Sequence, residues 1–338
     1  MYNNVRDFGA KGDGITDDTL AIVKAMNELP ERGGVIYFPP GVYLTKSIKC
    51  KNYTTYMGNS SWGYKEHENL GDFNGNAVIM PINDEDKMLF DLENCIGTRI
   101  IGLTLDGKFK GNEMHGVYSK HPGIEQNICI EDCRIVHFTG SGVRLDHCWV
   151  FAVRRCLIID NNLHGIDATK SYDGWVIDNQ LTANKGWGLY SGESFAKVAV
   201  TANRVEWNRE GGISLHYTST PQITGCCFDC NFGPGLQLTE ALTMTVTGNI
   251  FCNNGCGREK DSEKNCHLII KNSKGITVTG NSFLHSEKQE NLNPSFGIVF
   301  ENLSACVITQ NAISTGAKIE TLVDKGSHNG AIVIKDNA

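Results

Sequence analysis

The amino-acid sequence predicts an all-β fold, a single-stranded right-handed parallel β-helix in which about ten coils stack as a solenoid. Three ladders of repeated residues, locked in phase with one another, predict this fold. The first ladder places Asn or Cys at residues 133, 156, 179, 203, 226, 249, 281 and 311, and its first five intervals are 23 or 24 residues. The second ladder consists of Asn161, Asn184, Asn208, Asn231 and Asn254, and the third of Gly142, Gly165, Gly188, Gly212 and Gly235. Runs such as "TMTVTGNIF" alternate apolar and polar residues between ladder positions, as strands do.

A coil of this length accommodates three short strands and three turns. Asn side chains at matching corners can hydrogen-bond their copies in the next coil, roughly 4.8 Å away, and Asn tolerates left-handed backbone there. Cys133, Cys156 and Cys226 occupy positions that Asn holds in other coils. We therefore expect these thiols to point into the solenoid, free of metal. Cys227 and Cys230 have the CxxC spacing of a zinc ligand pair, but interior packing is the interpretation that we prefer.

The amino-terminal residues predict a different local structure. In "GDGITDDTLAIVKAMNELPERGG", Thr16 is the predicted N-cap of a short helix within residues 15–29. Asp17 and Asp18 are interpreted as acids that cap this helix, although an Asp-Asp pair is also a catalytic pattern. The helix would cover the open end of the solenoid, where an unpaired strand edge otherwise invites aggregation.

Composition and charge exclude several classes of protein. The 338 residues are 40% hydrophobic and 20% charged, as in globular proteins, and no window approaches the ~18 apolar residues of a membrane span. The net charge of −7 argues against a nucleic-acid partner. The opening "MYNNVRDFGAKGDG" lacks the basic and apolar regions of a signal peptide, so a cytoplasmic location is expected unless a leader has been removed. Thirteen cysteines are then expected as reduced, mostly buried thiols, with no cofactor.

The stretch "VRDFGAKGDGITDDTLAI" followed by "GGVIYFPPGVYL" resembles the opening of the pectate-lyase-like β-helix superfamily. That superfamily includes polygalacturonase-like hydrolases, polysaccharide lyases, epimerases, phage tailspike depolymerases and the inulin fructotransferase/difructose anhydride hydrolase family. The late coils, "FGIVFENLSACVITQNAISTGAKIETLVDKGSHNGAIVI", loosely resemble the carboxy-terminal coils of the fructotransferase family. The resemblance implies one β-helix domain over 1–338, with a cap and first strands in 1–45 and coils in 46–338, and it implies a carbohydrate ligand. The paired aspartates, Gly-His-Gly and Arg-x-Lys of polygalacturonases are absent, as is a recognisable aspartate-rich calcium cluster.

The strand that follows each ladder glycine carries the predicted site. Positions two and four after the glycine point outward, because positions one and three are mainly apolar and face the core. The outward positions and the following turn carry carboxylates, imidazoles, an arginine and tyrosines on neighbouring coils, where an inert surface would carry Ser, Thr and Asn. Long segments at residues 63–76, 106–116, 255–265 and 285–295 enter before strands of the same face and are predicted to wall it into a pocket.

Two carboxyl groups on neighbouring coils suit glycoside cleavage, which needs them about 5–5.5 Å apart for retention or about 6.5–9.5 Å apart for inversion. Asp146, Asp167 and Glu193 are the predicted catalytic acids. The predicted substrate-binding residues are Arg144, His164, Trp187, Tyr190, His216, Glu210 and Glu240. Each of these acids could instead be a solvated surface residue.

Three functions remain open at this point. The first is an enzyme that cleaves or rearranges a glycosidic bond in an oligosaccharide or polysaccharide, as a glycoside hydrolase or a glycosyl (fructosyl) transferase. The second is a lyase or epimerase that abstracts a proton beside a uronate carboxylate. The third is a phage-derived glycan-binding β-helix without turnover. A homotrimer is left open as the assembly state.

Overall fold

The computed structural model describes residues 1–59, 76–121, 123, 125–284, 286–313 and 315–338, and for residues 287 and 288 it describes the backbone alone. The described chain divides into two compact units, unit 1 (Met1–Ile166) and unit 2 (Asp167–Ala338). Each unit consists of coils with three short strands, and strands of successive coils pair in parallel. The all-β parallel solenoid is therefore confirmed, with about 12 turns in the described residues rather than about ten. The earliest turns lack the Asn and Gly ladders, so a number of coils inferred from the sequence period leaves them out.

Each coil contributes to three sheets, named here in the order in which the chain enters them after a ladder glycine. In unit 1, sheet 1 contains the strands Ile48–Lys49, Met88–Asp91, His115–Lys120 and Val143–Asp146. Sheet 2 contains Tyr2–Asn4, Gly34–Tyr37, Thr54–Met57, Arg99–Ile101, Glu125–Glu131 and Trp149–Arg154. Sheet 3 contains Asp13–Asp17, Gly41–Thr45, Ala77–Pro81, Thr104–Asp106, Arg134–Val136 and Leu157–Ile159. The short strand Ile166–Asp167 lies at the boundary of the units.

Unit 2 repeats this arrangement. Its sheet 1 contains the strands Trp187–Ser191, Gly211–His216, Leu236–Thr239, the first half of Cys266–Thr279, Phe296–Ser304 and Glu320–Asp324. Sheet 2 contains Trp175–Ile177, Ala199–Thr201, Gln222–Thr224, Leu242–Thr247, the second half of Cys266–Thr279, Cys306–Thr309 and Ile332–Lys335. Sheet 3 contains Gln180–Thr182, Arg204–Glu206, Cys227–Asp229, Ile250–Cys252 and Ser282–Leu284. Short 3-10 helices span Val5–Phe8 and Glu287–Leu292.

The predicted helix is present as α1 (Thr19–Asn27), but Thr16 is not its N-cap. Thr16 lies in the strand Asp13–Asp17, three residues before the helix begins, and the Asp13 carboxylate accepts hydrogen bonds from its backbone and hydroxyl. The carboxylate of Asp18, which precedes the helix, accepts instead from the backbone of residues 11 and 12. α1 has nine residues, and no helix among the described residues is long and apolar enough to cross a membrane.

The predicted ladders are confirmed as chains of buried amide hydrogen bonds. Asn249 donates from Nδ2 to Asn281 Oδ1 at 3.0 Å and to Ile223 O at 3.0 Å, and its Oδ1 accepts from Cys226 N at 2.9 Å. Asn281 and Asn311 make the same Nδ2–Oδ1 bond to the next rung at 2.9 Å. The second ladder joins Asn184, Asn208, Asn231 and Asn254 at 2.8–3.0 Å. Each ladder amide thus satisfies backbone groups that the corner of a coil leaves inside the protein.

The predicted inward orientation of the ladder cysteines is also confirmed. Cys133, Cys156 and Cys226 are at most 1% exposed and donate weak S–H bonds to backbone carbonyls. Cys227, by contrast, is half-buried on the outer side of sheet 3, so interior packing describes Cys230 but not Cys227. All thirteen cysteines lie within the described residues and are free thiols.

One histidine replaces a ladder glycine inside unit 2. His267 is fully buried, and its Nδ1 lies 3.2 Å from Asn254 Nδ2, so in the neutral form Nδ1 accepts this bond. The Phe251 and Phe283 rings lie 6.2 and 5.7 Å from the imidazole. Burial lowers the pKa of His267 to about 3, because a charged imidazolium would have to lose its water. His267 is therefore a neutral part of the core.

We predict that Asn249→Ala lowers the free energy of unfolding by about 1–3 kcal/mol, because buried polar groups on both neighbouring rungs lose a partner. Chemical denaturation would measure this change. Asn329→Ala is the matched control, since Asn329 also donates to an Asn side chain, Asn302, but at the surface; its effect should stay within about 0.5 kcal/mol. Equal effects of the two substitutions would contradict a stabilising role for the ladder.

We also predict a pH dependence from His267. Its pKa is lower in the folded protein than the ~6.5 of an unfolded chain, so the unfolded state binds the proton first as the pH falls. The resulting stability is complete above about pH 6.5 and is lost as the pH falls toward about 3. His267→Asn keeps an acceptor near Asn254 but cannot titrate. Thermal melting temperatures of this variant should fall less steeply over that range, and a slope equal to wild type would contradict the assignment.

Candidate functional site

Two columns of side chains lie on the outer face of sheet 1 in unit 2, with one residue of each column per coil. Backbone pairing aligns Tyr190 with Ser214 and Ser214 with Gln237. The hydrogen bond from Ala168 N to Tyr190 O places Asp167 at the same position of the preceding coil. The first column is therefore Asp167, Tyr190, Ser214, Gln237, Ile269 and Val299; the second is Thr169, Gly192, His216, Thr239, Lys271 and Glu301. The residues that alternate with the columns along each strand are core, as with Leu189 and Ile213. The predicted alternation of inward and outward side chains is therefore confirmed.

Asp167 lies on this face but is only 8% exposed, so it is not an ordinary solvated surface carboxylate. Its Oδ1 accepts hydrogen bonds from Thr169 Oγ1 at 2.7 Å and from Thr169 N at 3.2 Å. These two bonds hold Oδ1 of the carboxylate in place. A carboxylate held in one orientation is suited to proton transfer at a defined point of a bound ligand.

Gly192 gives the Tyr190 ring its place above the second column. A Cβ at Gly192 would lie 2.7 Å from the Tyr190 hydroxyl oxygen, so any side chain there would displace the ring. Tyr190 lies on the coil next to Asp167, and its ring centroid is 6.2 Å from that of His216. Burial raises the pKa of Tyr190 and the Asp167 charge raises it further, so the phenol keeps its proton at neutral pH.

His216 supplies a neutral imidazole to the same face. Its Nε2 lies 3.0 Å from Ser214 Oγ, within hydrogen-bond distance. Burial lowers the pKa of His216, and the charge of Lys264 lowers it further. Lys264 belongs to the long segment 255–265, whose Glu263 forms an ion pair with Lys271 at 2.6 Å. This segment therefore reaches the outer face, as predicted for a wall of the site.

The other predicted residues of unit 2 have different surroundings. Trp187 is 8% exposed and lies against Gly211, where a Cβ would come within 2.2 Å of its ring, so its indole offers little open surface to a ligand. Glu193 is half-exposed at the turn after the Tyr190 strand and pairs with Lys170 at 3.1 Å.

Glu210 lies in a turn outside the two columns, and its Oε2 accepts from Arg258 Nη2 at 3.1 Å. Glu240 lies directly after the strand Leu236–Thr239, in left-handed backbone with φ of 54°. Both residues therefore lie at the edge of the outer face of sheet 1 and outside its two columns. Their predicted role in substrate binding stays a prediction.

Arg144, Asp146 and His164 belong to unit 1. Arg144 Nη1 lies 3.4 Å from Glu113 Oε1. Asp146 pairs with Lys120 at 3.3 Å and accepts from His147. Burial by itself would raise the pKa of Asp146, but the bonds from His147 and Lys120 outweigh it and lower the pKa.

The lowered pKa has a consequence for the role of Asp146. An ionised carboxylate suits a base or nucleophile better than a general acid. His164 is half-buried in the turn before the boundary of the units. The predicted action of Asp146 together with Asp167 stays a prediction.

Sequence reasoning missed four residues that shape the site, namely Thr169, Gly192, Ser214 and Gln237. They are small or uncharged, and they were not among the predicted site residues. The buried Oε1 of Gln237 has no hydrogen-bond partner among the described residues and can accept from a ligand hydroxyl. The signal that could have found them is their position in the two columns, above and below Tyr190 and His216.

Within the described ranges, no group of three or more His, Cys, Asp or Glu residues is placed to hold a metal ion. The columns instead offer an oriented carboxylate, a protonated phenol and a neutral imidazole, which together can accept and donate protons around a bound ligand.

Family comparisons agree with this architecture. A family model described as rhamnogalacturonase A/epimerase, pectate lyase-like, matches residues 2–101, where the opening motif lies. A second, described as right-handed β-helix region, matches residues 115–283, half of the chain. The chain belongs to the right-handed β-helix family. This membership confirms the predicted superfamily.

The proteins similar to this β-helix protein include glycan-acting proteins of several kinds. A probable glucan endo-1,3-β-glucosidase of Arthroderma benhamiae is 29% identical over 147 residues, which is 39% of this chain and 17% of that relative. The A-module of the mannuronan C-5 epimerase AlgE6 of Azotobacter vinelandii has a TM-score of 0.67 at 17% identity, covering 98% of this chain and 99% of the module. Tailspike protein 2 of an Escherichia coli O157:H7 bacteriophage has a TM-score of 0.72 at 14% identity, covering 95% of this chain and 46% of the tailspike. The two structural likenesses show the fold.

We predict that Gly192→Ala in this β-helix protein displaces Tyr190 with little effect on stability, because the added Cβ meets only the far end of a flexible side chain. Ligand binding or turnover at this face should fall, while the melting temperature should change by only a few degrees. The double variant Gly192→Ala/Tyr190→Phe is the control. Since it removes the colliding hydroxyl, Gly192→Ala should have a smaller effect in the Tyr190→Phe background. Additive effects would contradict the proposed contact.

Proposed function

We propose that this protein is a carbohydrate-active enzyme that cleaves or rearranges a glycosidic bond in an oligosaccharide or polysaccharide. One observation carries the proposal: Asp167, Tyr190 and His216 lie on neighbouring coils of one outer face, with the carboxylate oriented by Thr169. Glycosidic bond cleavage requires proton donation to the leaving oxygen and a second group at the anomeric carbon. The three side chains supply groups that can hold and transfer protons.

The first candidate type is a glycoside hydrolase or a glycosyl transferase such as a fructosyl transferase. Two-carboxylate hydrolysis needs a partner for Asp167, and in unit 2 Glu193 on the next coil is the candidate. Glu193 forms an ion pair with Lys170 at 3.1 Å, and we assign it the role of base or nucleophile and Asp167 that of acid. The similarity to a probable glucan endo-1,3-β-glucosidase supports this type.

The second candidate type is a lyase or epimerase acting on a uronate sugar. A neutral imidazole can abstract the proton beside the uronate carboxylate, and a protonated phenol can return one to the sugar or to the leaving oxygen. The lowered pKa of His216 and the raised pKa of Tyr190 favour these states. The likeness to a mannuronan epimerase module lends this type support at the level of the fold alone.

Mass spectrometry of products from a panel of neutral and uronate oligosaccharides separates the candidates. Hydrolysis adds water to the cleaved product, elimination leaves an unsaturated sugar, and epimerisation leaves the mass unchanged while deuterium enters from heavy water. A glycan that binds but is unchanged by all three criteria would support the phage-type binding β-helix and contradict the enzyme.

We predict that Asp167→Asn lowers turnover at least about a hundredfold, a usual scale for the loss of an acid or base. The substitution preserves the side-chain shape and can still accept from Thr169, so the melting temperature should change little. Asp178→Asn, the same change at an exposed corner of unit 2, is the matched control and should keep wild-type turnover. Near-normal turnover of the Asp167→Asn protein would remove Asp167 from the mechanism and move attention to Glu210, Asp229 and Glu240.

A further inference from the structure

A groove with an exposed tryptophan lies on sheet 2 of unit 2, which is not the sheet of the candidate catalytic residues. Trp175 is 46% exposed at the start of its strand. Backbone pairing aligns Trp175 with Ala199, and Ala199 with Gln222 on the following coil. These residues line a cavity of about 520 Å³ together with Asp173, Lys197 and Thr220. This volume lies in the range of ligand pockets, roughly 300–1,000 Å³.

The coil repeat builds one wall of this groove. Asp173, Lys197 and Thr220 are successive copies of one corner, each in left-handed backbone with φ of 53°, 54° and 60°. Each donates its backbone N–H to the next coil in the same way, at 2.9–3.1 Å. A carboxylate, an ammonium and a hydroxyl are therefore presented in a row beside the indole. Because neighbouring strands lie roughly 4.8 Å apart, three coils offer a binding length of ~10 Å.

The floor of the groove depends on the small side chain of Ala199. A larger residue there would fill the space next to the Trp175 ring. Trp187 is a contrasting case, because its ring packs against Gly211 and is buried. Trp175 instead keeps much of its indole in solvent, with polar groups around it.

The chemistry of the groove favours a neutral glycan over other ligands. A sugar ring presents an apolar face that stacks on an indole and a rim of hydroxyls that hydrogen-bond to polar side chains. An apolar protein partner would need a continuous apolar patch, whereas Trp175 is the only large apolar side chain among the residues that line this groove. Asp173 and Lys197 carry opposite charges, so the groove offers no excess of positive charge to a polyuronate or to nucleic acid.

We propose that this surface, the Trp175 groove, is a second glycan-binding site without catalytic residues. A sugar of a neutral glycan chain stacks on Trp175, and its hydroxyls bond to Asp173, Lys197 and Gln222. The site holds a polymer on unit 2 independently of the outer face of sheet 1. The choice of a glycan as ligand rests on the proposed function, but the site itself requires no turnover.

Native electrophoresis in gels that contain a soluble β-1,3-glucan or alginate tests the proposal. All proteins carry Asp167→Asn, so that cleavage does not consume the polymer. The test variants are Trp175→Ala, which removes the platform, and Ala199→Leu, which fills the groove while keeping the indole. Trp207→Ala is the matched control, because Trp207 is also exposed on unit 2, at 39%, but does not line the groove. Melting temperatures confirm that each variant is folded.

We expect the glucan gel to retard the parent protein and the Trp207→Ala variant. Affinity for the glucan, obtained from the retardation at several glucan concentrations, should fall about tenfold or more in Trp175→Ala and Ala199→Leu, as for a central tryptophan at an interface. Equal retardation of all variants, equal loss in Trp207→Ala, retardation by alginate alone, or no retardation in either gel would overturn the site.

These outcomes are separable from the test of the proposed function. Turnover of oligosaccharides without Trp175-dependent retardation would overturn the Trp175 groove and leave the enzyme standing. Trp175-dependent retardation of a protein that turns over no glycan would overturn the enzyme and leave the groove standing.

Discussion

The stacking of one coil on the next through buried amide ladders is the interaction on which the other features of unit 2 depend. A coil has only short strands, so it cannot bury its own corners, and a buried backbone group without a partner is costly. Asn249, Asn281 and Asn311 satisfy such groups and bond to their copies in the next coil. The ladders therefore fix the register between coils. A slip by one residue would turn every side chain of a strand to the opposite face.

Fixed register is also what makes a functional surface from a repetitive chain. Each coil contributes one residue to each outward column, so residues about 23 positions apart become neighbours. Tyr190 can approach His216 only because the second-column position of its own coil is Gly192. On sheet 2 the same geometry aligns Trp175, Ala199 and Gln222. Function thus varies with the side chains, while the ladders of each unit stay the same.

The sequence predicted the parts of the structure that repeat. The Asn ladders, the inward thiols of Cys133, Cys156 and Cys226, and the outward phase of Asp167 all follow from one period. It failed where a single neighbour decides the outcome. Thr16 looked like an N-cap, but it lies in a strand, where the Asp13 side chain accepts its hydrogen bonds, and the helix begins at Thr19.

Exposure was equally hard to predict, because it depends on contacts between residues far apart in sequence. Trp187 and Trp175 each lie beside a small residue of the next coil, yet one is buried and the other forms a groove. Asp167 is buried although its position faces outward. The segment 63–76 lies almost entirely outside the described residues, so its predicted role as a wall of the site stays a prediction.

The most direct test of the central claim is a crystal structure of the Asp167→Asn protein with an oligosaccharide identified by the product screen. The account predicts that a glycosidic oxygen, or the reacting carbon of a uronate, lies within hydrogen-bond reach of the side chain at position 167 and of Tyr190, about 2.6–3.2 Å or one water away. A ligand that occupies other surfaces and leaves the outer face of sheet 1 in unit 2 empty would contradict it.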